Sequence, residues 1–194
     1  MTKIIAICGF KGSGKDEVAK RLPDAYVNLK FAGPLKDMIR VLFEAQGMSG
    51  VELERYIEGD MKEIPSEYLN GKTSREAQQT IGTEWGRDLI SPTLWADILE
   101  RSCEHHDFVV VTDMRFPNEF ELMERLGAIT VRVERAGQNS NEFSDHPSER
   151  YISTFDVGYV IDNDGSLDDL DKKVSELLTD VQREEDFANG GNYN

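Results

Sequence analysis

Apolar positions along this chain follow two rhythms. Lys3 to Cys8 (KIIAIC) is almost continuously apolar, as in a strand covered on both faces. Behind a glycine-rich stretch, Val18, Ala19 and Leu22 recur at helical spacing. Ala25 to Leu29 reads as a short second strand. Pro34 suits the first turn of a helix with a stripe of Leu35, Met38, Ile39, Leu42 and Phe43. Residues 47–72 are acidic and broken by Gly47, Gly50, Gly59, Pro65 and Gly71, and read as an insertion of short helices and mobile parts. Thr73 and Glu76 form a capping box, and the helix they open is expected to stop near Gly82. Ser91-Pro92 opens another helix, with Leu94, Trp95, Ile98, Leu99 and Cys103 inward.

A second buried strand, Phe108 to Asp113, ends in a carboxylate. Asn118 caps a short helix carrying Phe120, Met123 and Leu126, and Ile129 to Val133 is a further strand. Residues 135–150 are polar and loop-like. Val157 to Ile161 is the last strand, Asn163-Asp164-Gly165 turns, and Ser166 caps a helix lined by Leu167, Leu170, Val174, Leu177, Leu178 and Val181. Strands separated by helices imply right-handed crossovers and a parallel sheet, here of about five strands. The expected organisation is one α/β domain over residues 1–182, with an insertion at about 47–72, a lid at about 135–150 and a flexible tail at 183–194.

Charge narrows the partners. The formal net charge is −15, so no nucleic-acid-coating surface is expected, because phosphate contacts need a basic footprint. No run of about 18 apolar residues occurs, so no membrane span is expected. Met1-Thr2-Lys3 leads directly into a core strand, and no signal peptide is expected ahead of it. Cys8 and Cys103 read as buried thiols in a reducing compartment.

The candidate chemistry starts at the end of the first strand. Gly9-Phe10-Lys11-Gly12-Ser13-Gly14-Lys15-Asp16 fits the G-x-x-x-x-G-K part of the phosphate-binding loop, with Asp where Ser or Thr is usual. Glycines let the backbone wrap an anion closely, loop amides donate to it, and the following helix adds its positive end. Lys15 supplies a full charge. Asp16 either helps hold Mg²⁺ or faces the acceptor side of the site.

In a parallel sheet the ligand lies at the carboxyl ends of the strands, which is where Gly9 to Lys15, Asp113 to Arg115 and Arg135 fall. An acidic residue such as Asp113 there meets a Mg²⁺ shell, and an arginine such as Arg115 can fork onto phosphate oxygens. Arg75 and Gln79 share one helix face, Arg87 follows Gly82-Thr83, and this side, with Lys36, is a candidate for a nucleotide's phosphate and base. Arg132, Arg135 and Arg150 bracket the polar 135–150 loop, which could close over phosphates.

Together these pieces resemble the bacteriophage deoxynucleoside monophosphate kinases, small phosphate-loop enzymes. The resemblance lies in Gly9 to Asp16, Ala32-Gly33-Pro34-Leu35-Lys36-Asp37, Arg75…Gln79 with Gly82-Thr83, Asp113-Met114-Arg115, Arg135 to Asn141 with His146 downstream, and Asn163 to Leu167. The last piece also looks like one in dephospho-coenzyme A kinases, and residues 47–72 are shorter than the family suggests. The resemblance implies a three-layer phosphate-loop kinase fold and transfer of a phosphoryl group from ATP, with Mg²⁺, to a deoxynucleoside monophosphate. The setting it implies is host cytoplasm, with a homodimer as candidate assembly.

On this reading Gly9, Lys11, Gly12, Ser13, Gly14 and Lys15 hold the ATP phosphates. Asn163, Gly165 and Ser166 border adenine. Asp16 and Asp113 serve Mg²⁺. Lys36, Arg75, Gln79, Thr83, Arg87, Asp113 and Arg115 serve the acceptor, and Arg135 serves the transferring phosphoryl. Lys15, Arg135, Arg115 and Asp16 are the catalytic set. The alternative is another small-molecule kinase, such as one acting on dephospho-coenzyme A.

Overall fold

The structure, a computed structural model, describes residues 2–136 and 150–190, with side chains through residue 183. The lid residues 137–149, His146 among them, and positions 191–194 lie outside the described residues. The chain divides into two compact units, Met1–Leu29 with Ser102–Asn194, and Lys30–Arg101.

The first unit holds a five-stranded sheet: β1 (Lys3–Cys8), β2 (Val27–Leu29), β3 (Phe108–Val111), β4 (Ile129–Glu134) and β5 (Tyr159–Asp162). All pairings are parallel, in the order β2-β3-β1-β4-β5. The central strand β1 has Ile5 opposite both Val110 and Ile129, so its neighbours on either side are themselves strands of the core. Ile5 and Ile7 point to one face, where they pack with Val110, Val131 and Val133 against helices α1 (Lys15–Ala19) and α7 (Leu167–Gly190). Ile4, Ala6, Val109 and Val111 alternate to the other face and are equally buried. The chain moves leftward through α1 and rightward through α6 (Pro117–Arg125), so right-handed crossovers put these helices on opposite faces.

Local readings change at several points. The strand before Asp113 ends at Val111, because Thr112 onward leaves the ladder. Asn118 is not the cap of α6: Pro117 takes the first helical position and Phe116 the cap, so Asn118 sits inside the first turn. Helix α7 runs through to Gly190, past the point where the polar composition suggests a tail.

The second unit is helical. It contains α2 (Gly33–Glu44), α3 (Gly50–Ile57), a 3₁₀ turn (Glu67–Leu69), α4 (Ser74–Thr80), a π-helical stretch (Ile81–Ile90) and most of α5 (Leu94–Cys103). Its core joins Ile39, Phe43, Met48, Leu53, Tyr56 and Ile57. Met38 and Leu42, assigned to the inward stripe of α2, are instead exposed, and Leu35, Ile39 and Phe43 carry the burial. The Thr73–Glu76 box forms as expected: Glu76 N donates to Thr73 Oγ1 (3.0 Å) and Thr73 N to Glu76 Oε2 (2.8 Å).

The helix that this box opens does not stop near Gly82. It continues in π form to Ile90, closing with Ser91 N to Gly86 O at 2.9 Å. Trp95 packs against both glycines. Its indole Nε1 donates to Gly82 O (2.8 Å), and its ring lies so close to Gly86 that a Cβ there would be 2.5 Å from Cζ2. Gly82 is therefore an acceptor for Trp95 and Gly86 a contact point, and neither is a stop signal. Gly86→Ala should cost about 1–3 kcal/mol by overpacking against the buried Trp95 ring. A lowered Tm in Gly86→Ala, partly recovered by adding Trp95→Phe, checks this. An unchanged Tm would remove the packing explanation.

Candidate active site

Along the carboxyl edge of the sheet, four of the five strands each deliver one piece of the candidate site. β1 runs into the glycine loop. Gly12 and Gly14 hold φ of 81° and 101°, in the region that favours glycine. Gly9 is buried against β4: a Cβ there would be 2.5 Å from Val133 O and 2.6 Å from Ser13 Oγ. Lys15 opens α1 and folds back over its own loop, its Nζ donating to Gly9 O (2.7 Å) and Phe10 O (2.9 Å). Asp16 and Lys11 are exposed beside it. Ser13 Oγ is buried without a hydrogen-bond partner. A buried hydroxyl of this kind is unusual and suits a cradle that receives polar atoms.

β3 delivers Asp113 and Arg115. Burial alternates here: Thr112 and Met114 are buried, while Asp113 and Arg115 are half-buried and share the other side. β4 delivers Arg135, which is exposed one residue past the strand. Arg132 is not part of that bracket. It lies within β4, with Nε on Glu134 Oε1 (2.7 Å) and Nη1 on Phe155 O (3.1 Å). Burial pushes the Cys8 thiol up to about 11, against the opposing pull of Arg132 and Lys15, so the thiol beneath the loop is inert.

β5 delivers the Asn163-Asp164-Gly165-Ser166 turn. Asn163 fastens two strand ends at once. Its backbone N donates to Glu134 O (2.7 Å), and its Nδ2 donates to Ser13 O in the glycine loop (2.8 Å). Asp164 takes the backbone N–H of Ala136, the residue after Arg135. That bond, and one shared with Asp162, hold the Asp164 carboxyl below the usual range, while the same sharing raises Asp162. Ser166 and Asp169 cap α7 reciprocally. The turn predicted at Asn163 is therefore also a strut for the phosphate-binding loop, a role its spacing alone does not reveal.

Glu119 is the residue that sequence reasoning missed. Its Oε2 accepts from the backbone N–H of Arg115 (2.8 Å) and of Phe116 (3.1 Å), and the residue is 2% exposed. The available signal was Pro117 at the first helical position, which puts Glu119 third, where a carboxylate reaches back to the cap.

The helical unit holds the other candidates. Lys36 is buried, with its Nζ on Glu58 Oε1 at 2.6 Å. Burial pushes Glu58 up, but the Lys36 contact and nearby lysines bring it net below the usual range. Arg75 is half-buried and donates from Nε to Glu63 Oε1 (2.9 Å). Gln79 and Thr83 are exposed, and Arg87 is half-buried in the π-helical stretch. Gln79 lines a cavity of about 520 Å³ with Leu69, Lys72, Thr80, Ile81 and Glu84. Arg75, Lys36, Thr83 and Arg87 are not among its lining residues. Among the described residues no group of three or more metal-ligating side chains occurs, and no helix is long and apolar enough to cross a membrane.

Comparison with known proteins adds an independent line. The family described as deoxynucleotide monophosphate kinase matches residues 60–174. The chain is 29% identical over 189 residues to a putative deoxynucleotide monophosphate kinase of Acanthamoeba polyphaga mimivirus, covering 88% of this chain and 93% of that one. It is 24% identical over 239 residues to the deoxynucleotide monophosphate kinase of Enterobacteria phage T4, covering 91% and 98%. Among solved structures, dephospho-CoA kinase from Campylobacter jejuni superposes with a TM-score of 0.51 at 14% identity, covering 95% of this chain and 100% of that one. That last likeness concerns the fold alone.

Proposed function

The chain belongs to the deoxynucleotide monophosphate kinase family, and on that premise we propose how its own residues divide the transfer of a phosphoryl group from ATP to a deoxynucleoside monophosphate. The observation that carries the reading is the glycine loop at the end of β1. Its left-handed glycines, its buried unpartnered hydroxyl and its inward-held lysine fit a chain of phosphates. Gly9, Gly12 and Gly14 keep Cβ atoms out of the cradle. Loop amides and the start of α1 donate to phosphate oxygens, and Lys15 exchanges its loop carbonyls for the outer phosphates.

The acceptor is already an ionised phosphate, so no residue has to remove a proton from it, and alignment and charge carry the catalysis. Arg115 orients the acceptor from the β3 end, and Arg135 meets the transferring group from the β4 end. In the helical unit Arg75, Arg87 and Lys36 are the candidates for the acceptor's phosphate. Each would exchange a present contact for it, as Arg75 would leave Glu63. Gln79 and Thr83 are candidates for its base and sugar. Mg²⁺ would supply charge neutralisation on the phosphates when bound, and Asp16 and Asp113 are the candidate carboxylates to hold it or its waters. Asn163, Gly165 and Ser166 border the donor's base.

A panel of acceptors tests the reading. With ATP and Mg²⁺, one or more deoxynucleoside monophosphates should release ADP, and dephospho-coenzyme A should not. Turnover of dephospho-coenzyme A alone would overturn the assignment.

A further inference from the structure

We infer that Glu119 is a positioning residue: its buried carboxylate clamps the backbone of Arg115 and so aims Asp113 and Arg115 at the carboxyl edge of the sheet. The inference rests on the acceptor and metal roles given above to those two residues. Its own basis is geometric. Between the end of β3 at Val111 and the start of α6 at Pro117, no sheet ladder holds the chain. Two kinds of anchor replace it. Thr112 and Met114 are 3% and 1% exposed, so their side chains pin alternate positions into the interior. Glu119 Oε2 then takes the N–H of Arg115 at 2.8 Å and that of Phe116 at 3.1 Å. In return Phe116 O accepts from Glu119 N and Phe120 N, both at 3.0 Å. The loop and the first turn of α6 are thus closed on each other.

Helix packing alone does not call for a carboxylate at this position. An apolar side chain would fill the space without the desolvation cost of a buried charge. The carboxylate holds two backbone donors here, at 2.8 and 3.1 Å. One of those donors belongs to Arg115 itself. Fixing the N–H groups of Arg115 and Phe116 holds the peptide planes on both sides of the Arg115 Cα, and with them the direction of its Cα–Cβ bond; with Met114 buried between them, Asp113 is constrained as well. A shift of about 1 Å at such a position costs roughly 10²-fold in rate.

The test is a double-mutant cycle of Glu119→Gln and Glu119→Ala with Arg115→Ala, reading kcat, acceptor KM and Tm. Glu119→Ala should lose roughly 10²-fold in kcat/KM for the acceptor while Arg115 is present. In the Arg115→Ala background it should lose no more than about tenfold, because one of the two groups it aims is already gone. Glu119→Gln keeps the shape and a neutral acceptor, and should lose roughly tenfold. It also carries the cycle if the alanine variant does not fold. Equal losses in both backgrounds would overturn the inference and leave Glu119 as a packing residue. Amide hydrogen exchange supplies a readout without turnover. The Arg115 and Phe116 amides should be protected in the wild type and exchange at least about tenfold faster in Glu119→Gln, with the β1 amides unchanged. Unprotected amides in the wild type would refute the clamp. A wild type that phosphorylates no deoxynucleotide, yet shows this protection, would instead overturn the functional reading alone.

Discussion

Lys15→Met should leave a folded protein that transfers phosphoryl groups roughly 10²–10³-fold more slowly, by analogy with the loss of one transition-state donor. The ammonium has two partners in the structure, Gly9 O and Phe10 O, and both are carbonyls of its own loop. Removing it leaves two loop carbonyls without those bonds, one on the buried Gly9 and one on the half-buried Phe10, so the cost in stability should be about 1–3 kcal/mol. The cost in rate is different in kind. On the reading given above, Lys15 brings a full positive charge folded over the glycine loop, whereas Lys11 is exposed, and methionine keeps its length while deleting that charge. Lys15→Arg should not restore the rate, since a planar guanidinium cannot occupy the point position of an ammonium. Turnover within about threefold of wild type, with an unchanged Tm, would sink the phosphate-loop assignment.

The parts of the fold legible in the sequence were those set by unbroken local signals. The apolar runs at Lys3 to Cys8 and at Phe108 to Val111 became central neighbours in a parallel sheet, because a strand buried on both faces admits few polar residues. The Thr73–Glu76 box was legible because both of its hydrogen bonds are local. Where the reading failed, a contact that the local pattern does not display decided. Gly82 looks like a stop signal until Trp95 is seen to use its carbonyl. Asn118 looks like a cap until Pro117 and Glu119 take over the helix start.

The same division holds for the candidate site. The glycine loop was legible as a motif, because its chemistry resides in consecutive residues. The supports of the site were not. Asn163 reaches Ser13 across 150 positions of sequence, and its strut role exists only once β5 is placed two strands from β1. The pairing of Arg75 with Glu63 and of Lys36 with Glu58 is equally tertiary. The cationic residues were visible, but not the carboxylates that hold them.

Gly14→Ala should damage both fold and activity out of proportion to the single methyl group it adds. Gly14 sits at the N-cap of α1 with φ 101° and ψ 20°, a conformation that costs a residue with a Cβ roughly 1–2 kcal/mol. The space is also taken: the new Cβ would lie 2.1 Å from Asn163 Nδ2 and 3.3 Å from Asn163 Cγ. Two responses are open. Asn163 can swing away, which surrenders its bond to Ser13 O and unties the loop from β5. Alternatively the loop itself can move, which displaces its amides and Lys15. Either way the donors leave their positions, and a displacement of about 1 Å is worth roughly 10²-fold in rate. With the weakened amide contacts added, kcat/KM for ATP should fall by about 10³. The Tm should drop by several degrees, at about 2–4 °C per kcal/mol for a chain of this size. Adding Asn163→Ala separates the two causes. It removes the clash but not the backbone strain, so part of the Tm should return while activity stays low. If Gly14→Ala alone binds and turns over ATP like the wild type, the cradle does not depend on this glycine, and the placement of the phosphates in the loop is wrong.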